Sequence, residues 1–227
     1  MAKTIIITES QSQQLKQSLT EMAYPSTWNV EEFANIKSYA GRIKYCQERL
    51  HKLGAGSSRI VYQIDDEKCL KLAKNQKGIA QNEAEANSYA VEAGIGAQIY
   101  NWSDNFEWVE MQLAAPVTQS SFKRVTGYYF SLVEKFVLWT YNHYANEFKK
   151  KFIYIPKQEE ALFISFLDES HPFFAPLYNY MSNTGIESIG DLTKISSYGI
   201  VITNGDEDVV LIDYGLTEDI LNKYYKR

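Results

Sequence analysis

Apolar residues change their spacing several times along this chain, and each change marks an expected element. Over residues 8–22, Leu15, Leu19 and Met22 recur at helical spacing behind Thr8, an N-cap type, so a short amphipathic helix is expected. Residues 30–50 repeat that period through Phe33, Ile36, Tyr39, Ala40, Ile43 and Leu50, which predicts a second helical stretch. At Leu53 the period falls to two. "SRIVYQID" alternates as a strand, "DDEK" turns, and "CLKLA" runs as the next strand. A helix is expected from about 79 to 93, closed by Gly94, followed by strands at "AQIYNW" and "FEWVEMQLA" around the turn-forming Ser103-Asp104-Asn105. From 122 to about 180 the spacing is mostly helical, and large rings such as Trp139, Tyr141, Phe148 and Phe152 are expected to face a core. Two apolar runs flank Asn204-Gly205 and predict a hairpin, and a last helix is expected over 217–225.

Helices, a small sheet with one inserted helix, a helical block and a hairpin together predict an α+β chain with a sheet-rich lobe beside a helical lobe. At 227 residues, with 45% apolar and 22% charged side chains, the chain has the composition of an ordinary globular protein. Its 17 Tyr and 11 Phe predict a core built from large rings. A net charge of -5 argues against nucleic acid as the main partner, and the one basic run, Lys149-Lys150-Lys151, fits a solvated helix end. No stretch reaches transmembrane length, so no membrane partner is expected. Cys46 and Cys69 are too few for a disulfide framework, and with no signal peptide visible a reducing, cytoplasmic setting is expected. His51, His143 and His171 are too scattered to suggest a metal site by spacing.

Chemistry concentrates in "LGAGSSRIVYQIDDEKCLKLAKN", residues 53–75. Glycines let backbone N–H groups approach phosphate oxygens closely, although Gly-x-Gly alone is equally a turn that uses positive φ. The residues after it read as a strand, whereas a dinucleotide-binding fold needs a helix there, and the Gly-Lys-Ser/Thr of a Walker loop is absent. A glycine loop between two strands, a lysine on the next strand and then a helix bearing glutamate is the order of a kinase nucleotide site.

On these residues the sequence resembles the protein-kinase-like superfamily over roughly positions 50–215. Gly54, Gly56 and Val61 match its Gly-x-Gly-x-x-Gly-x-Val loop, with Arg59 in place of the third glycine. Lys71 matches the lysine on the α- and β-phosphates, and Glu85 or Glu83 is its helix partner, with the spacing to Gly94 favouring Glu85. A lysine between leucines is costly to bury unpaired, which agrees with that assignment. "WVEMQLAAPV" resembles the strand that leads into the hinge, and "VVLIDYGL" resembles the Asp-Phe-Gly element with Tyr214 in place of Phe.

The resemblance implies a two-lobed protein-kinase-like fold, with a small antiparallel-sheet N-lobe and a truncated, mostly helical C-lobe. Residues 1–50 are then an N-terminal helical extension, 51–115 the nucleotide-binding N-lobe, and 116–227 the C-lobe with its hairpin and Asp-Tyr-Gly element. It also implies ATP and Mg2+ as cofactors. Gly54, Gly56, Ser57, Val61, Lys71, Glu85 and the hinge residues Gln112 and Ala114 would hold the nucleotide, and Asp213 the metal. In "GDLTKISSYGIV", Asp191 is the candidate to orient an acceptor hydroxyl, and it reads equally as a cap or turn residue. No His or Arg precedes it, and Ser196 stands where kinases carry a metal-binding Asn. The chain also ends soon after Asp213, short of a conventional substrate platform. A minimal phosphotransferase of undetermined acceptor, using Asp191 and Lys71, is therefore one reading. A catalytically silent pseudokinase acting as an interaction or structural protein is the other, since the opening "KTIIITESQ" and short layout resemble compact kinase-like proteins of bacteriophages. A plain α+β binding domain with turn glycines is a third.

Overall fold

The computed structural model describes residues 28–144, 154–184 and 189–225. The helix expected over 8–22, the basic run at 149–151, Phe148 and Phe152 lie outside these residues.

Five strands form one antiparallel sheet: β1 (His51–Ala55), β2 (Arg59–Gln63), β3 (Lys68–Ala73), β4 (Ile99–Trp102) and β5 (Trp108–Gln112), in the order β1-β2-β3-β5-β4. Their period-two pattern sorts side chains onto two faces. Ile60, Tyr62, Leu70, Leu72 and Trp108 point to one side and form a cluster with Phe33, Tyr45 and Cys46. Those three belong to α1 (Val30–Asn35) and α2 (Tyr39–Arg49), which cover that face. Arg59, Val61, Cys69, Lys71 and Met111 alternate with the first set and so look the other way, with Val61 paired to Lys71 and Cys69 to Met111 across the strands.

Two helices differ from expectation. The stretch over 30–50 is broken because Ile36 is extended (φ -72°, ψ 113°) and Ser38 starts a new helix by accepting the Gly41 N–H. A serine that caps offers the backbone a partner that continuing the first helix would not. The helix expected at 79–93 is α3 (Gln76–Ala86), capped by Asn75 on the Gly78 N–H. It stops at Asn87, and Ser88 accepts the Ala90 N–H, so short polar side chains replace the next helical turn. Gly94, at φ +79°, closes the turns that follow.

The helical lobe holds α4 (Gln119–Thr126), α5 (Ser131–Tyr144), α6 (Lys157–Asp168), α7 (Phe174–Thr184) and the short α8 (Ile189–Leu192). Its core is aromatic: Phe136, Phe163, Phe166 and Phe174 are buried together, and Phe166 stacks on Phe174 at 4.3 Å. A second sheet carries β6 (Ala115–Pro116), β7 (Tyr198–Thr203) and β8 (Asp206–Leu211) in that order. Asn204 and Gly205, both at positive φ, make the two-residue hairpin turn that their pairing predicts. Leu211 hydrogen-bonds to Ile95 and Ala97, which hooks the hairpin exit to the segment after α3. The chain ends its described course in α9 (Glu218–Tyr224). No helix among the described residues is long and apolar enough to cross a membrane.

Phe33 is completely buried between α1 and the sheet. Phe33→Ala is expected to lower unfolding stability by about 3 kcal/mol or more in chemical denaturation. A loss below about 1 kcal/mol would mean that α1 is not docked on the sheet.

Candidate functional site

Lys71 sits inside β3 and is nearly fully buried, so its ammonium needs anionic partners. Its Nζ donates to Glu85 Oε2 at 2.7 Å and to the Ile212 carbonyl. Glu85, on α3, has no exposed surface, whereas Glu83 faces solvent, so the pair forms with Glu85. Arg59 completes the arrangement. Its Nη1 lies 2.8 Å from Glu85 Oε2, and its Nη2 donates to Asp213 Oδ1 at 2.5 Å. The Tyr214 N–H approaches Glu85 Oε1 at 3.4 Å. Cations from β2 and β3 thus meet carboxylates from α3 and from the segment after β8.

Burial lowers the pKa of Arg59, but the Glu85 and Asp213 carboxylates outweigh it and leave the guanidinium more basic than usual. Desolvation by the crevice walls raises that of Asp213, and the neighbouring Arg59 and Lys71 charges more than cancel it, holding the carboxyl below the ordinary aspartate range. Asp191, on α8, is pushed up chiefly by burial, against the Lys194 ammonium at 2.9 Å from its Oδ1. Ser197 accepts the Ile212 N–H, so the exit of the hairpin is tied to the turn that follows Asp191.

These groups border a crevice of about 1690 Å³ between the lobes. Gly54, Gly56, Ser57, Val61, Lys71, Gln112, Ala114, Asp191 and Asp213 all line it. Glu85 does not, because it is buried behind Lys71. Gly54 and Gly56 have no positive φ, and a Cβ on either would meet nothing within 4 Å. Backbone conformation and packing therefore do not require glycine there. Gly78 and Gly215 differ: added Cβ atoms would stand 2.2 Å from the Ser58 carbonyl oxygen and 2.4 Å from that of Gln81. Their bareness lets α3 press against both the glycine turn and the Asp-Tyr-Gly segment. At the hinge, the Gln112 and Leu113 N–H groups donate to the Gln98 and Glu67 carbonyls, so they are already engaged.

Magnesium takes near-octahedral oxygen donors, usually one or two carboxylates with phosphate and water. Here Asp213 carries Arg59 and Asp191 carries Lys194. The donors in this arrangement do not fit a divalent cation.

In the sequence Arg59 reads as a departure from the glycine motif, and Lys194 belongs to no motif. Arg59 was open to discovery through its alternation with Val61, since residues two apart on a strand share a face.

A sheet ordered 1-2-3-5-4, a glycine turn between its first strands, a strand lysine paired to the inserted helix and an Asp-Tyr-Gly turn after a hairpin define a protein-kinase-like fold. No family model matches the chain, and no curated protein matches it. Among solved structures it is similar to ADP-bound aminoglycoside phosphotransferase APH(2'')-Ib, at 10% identity over 78% of this chain and 70% of that one, with a TM-score of 0.34. It is also similar to APH(2'')-IIa in a streptomycin–ATP ternary complex, at 14% identity over 79% and 72%, with a TM-score of 0.33. At these scores the assignment of the fold rests on the topology above.

Two outcomes follow from this geometry. Asp213 has a depressed folded pKa, so its ionised form adds stability that is complete above its unfolded value near about 4 and is lost as pH falls through the folded value. The stability gap between wild type and Asp213→Asn should stay constant above about pH 5 and shrink on acidification, and a widening gap in denaturant titrations would contradict the ion pair. The Tyr214 hydroxyl is buried without a hydrogen-bond partner among the described residues. Tyr214→Phe should therefore leave the melting temperature equal or higher, by up to about 1 kcal/mol of stability.

Proposed function

We propose that the crevice binds an adenine nucleoside triphosphate, with its phosphates beneath the 54–56 turn and against Lys71. The observation that carries this reading is the buried Lys71–Glu85 pair on the crevice wall. A buried ion pair adds little stability over an apolar packing of the same volume, so its presence beside an open cleft calls for a ligand. The two loop glycines support the same conclusion, because nothing in the protein itself requires them while a close-lying phosphate would.

Binding is favoured over turnover. Asp213 is held by Arg59, and Ser196 borders the crevice where a metal-binding carboxamide would be needed. The protein on this reading is a nucleotide-binding pseudokinase, a kinase-shaped interaction or structural component. One observation favours a phosphotransferase instead: Asp191 borders the same crevice with a raised pKa, as a residue orienting an acceptor hydroxyl would.

With ATP in excess, measured once with magnesium and once with EDTA, wild type should melt about 5 °C or more higher than without nucleotide in at least one of the two. Gly56→Val should keep the unliganded melting temperature and lose most of this shift, and Lys71→Met should lose it. A wild type unshifted both in magnesium and in EDTA, or an undiminished shift in Lys71→Met, would remove the nucleotide reading. Phosphate release or transfer that drops about 100-fold in Asp191→Ala would choose the phosphotransferase. Equal silence of both proteins with retained binding would choose the pseudokinase.

A further inference from the structure

Arg59 opens β2 at the third glycine position of the loop motif, and a side chain there projects into the place where a nucleotide's phosphates would lie. Its guanidinium is not loose. Glu85 holds Nη1, Asp213 holds Nη2, and the fully buried Asn82 offers Oδ1 to Nη1 at 3.4 Å. Asn82 is itself fixed by donating to the Phe106 carbonyl at 2.9 Å. A cation is thus built into the site, on the one carboxylate that the motif would assign to a metal.

We infer that Arg59 stands in for the divalent cation, so that the crevice takes the triphosphate as a metal-free anion through Arg59 and Lys71; this rests on the nucleotide reading above. Three features carry it. A magnesium ion at Asp213 would stand beside a fixed guanidinium and be repelled by it, and Asp191, which lines the crevice near Asp213, is engaged by Lys194. The guanidinium has five N–H donors in a planar fork that matches phosphate oxygens, and only part of that set is used by Glu85, Asp213 and Asn82. The two carboxylates on Arg59 also differ in cost of release. Glu85 has no exposed surface and must keep its cations, whereas the Asp213 side chain is 53% exposed and water can take over its lone pairs. An arriving phosphate therefore exchanges with Asp213 at Nη2 while Glu85 and Asn82 keep the fork in place. Magnesium chelated to the nucleotide would mask the oxygens that Arg59 needs and would weaken the complex.

Isothermal titration of the full chain with ATP tests this, once in excess EDTA and once in excess magnesium. Binding in EDTA should be at least as tight as in magnesium, and about tenfold tighter is expected. Arg59→Gly, which restores the motif glycine, should reverse that order and make binding depend on magnesium. Arg59→Lys, which keeps the charge without the fork, should lose most of the EDTA binding and serves if the glycine variant does not fold. Wild-type binding that needs magnesium would overturn the inference while leaving the nucleotide reading intact. No binding under either condition would remove both.

Discussion

A carboxylate with no access to water needs cations from the protein in place of hydration, and Glu85 is that carboxylate here. Lys71 and Arg59 both converge on its Oε2, and the Tyr214 amide points at Oε1. Each partner comes from a different element, so the requirement of one buried charge fixes β2, β3, α3 and the segment after β8 against one another. Removing a single partner of such a group typically costs about 3–5 kcal/mol, because the charge left behind cannot be hydrated. The crevice inherits its shape from this constraint: the same cations that satisfy Glu85 form its wall.

Close packing of α3 is what makes the convergence reachable. Bare Cα atoms at Gly78 and Gly215 bring the two ends of the network to α3, one against the glycine turn and one against the Asp-Tyr-Gly segment. Lys74 and Asn75 then donate to the Gly56 and Ser57 carbonyls, pinning the turn to the start of the same helix. On the far side α9 returns to α3, where Lys77 lies over the Tyr225 ring and Gln81 meets the Tyr225 hydroxyl. A shift of α3 is therefore felt at the turn, at Asp213 and at the terminal helix together.

Features with a local signature were legible in the sequence. Alternation over 59–63 and 69–73 reports which residues share a sheet face, and Asn204-Gly205 reports its turn through the φ angles it tolerates. Lys71 between leucines announces a buried cation in need of a partner, and the kinase-like spacing to Gly94 points to Glu85, although the helical face of Ile79, Ala86 and Ala90 lies nearer Glu83. The Arg59–Asp213 contact had no such signature, because it joins residues 154 positions apart and its meaning depends on where the hairpin lies. Breaks at Ile36 and Asn87 were hidden for a related reason. Apolar spacing continues through both, while Ser38 and Ser88 make the hydrogen bonds that decide them.

If Arg59 takes the place of a metal, as inferred above, the exchange also bears on rate. A site accelerates a reaction only through contacts that strengthen as the transition state forms. Metal ions in phosphoryl transfer bridge the β- and γ-oxygens and neutralise the charge that develops between them. Arg59 has less freedom to follow that charge, because Glu85 and Asn82 hold its fork from behind. Its contacts with phosphate would be nearly the same before and during transfer, which lowers the free energy of the bound state without lowering the barrier above it. On the nucleotide reading proposed above, anchoring of the guanidinium, more than loss of any one motif residue, would suit this crevice to holding a nucleotide and not to spending it.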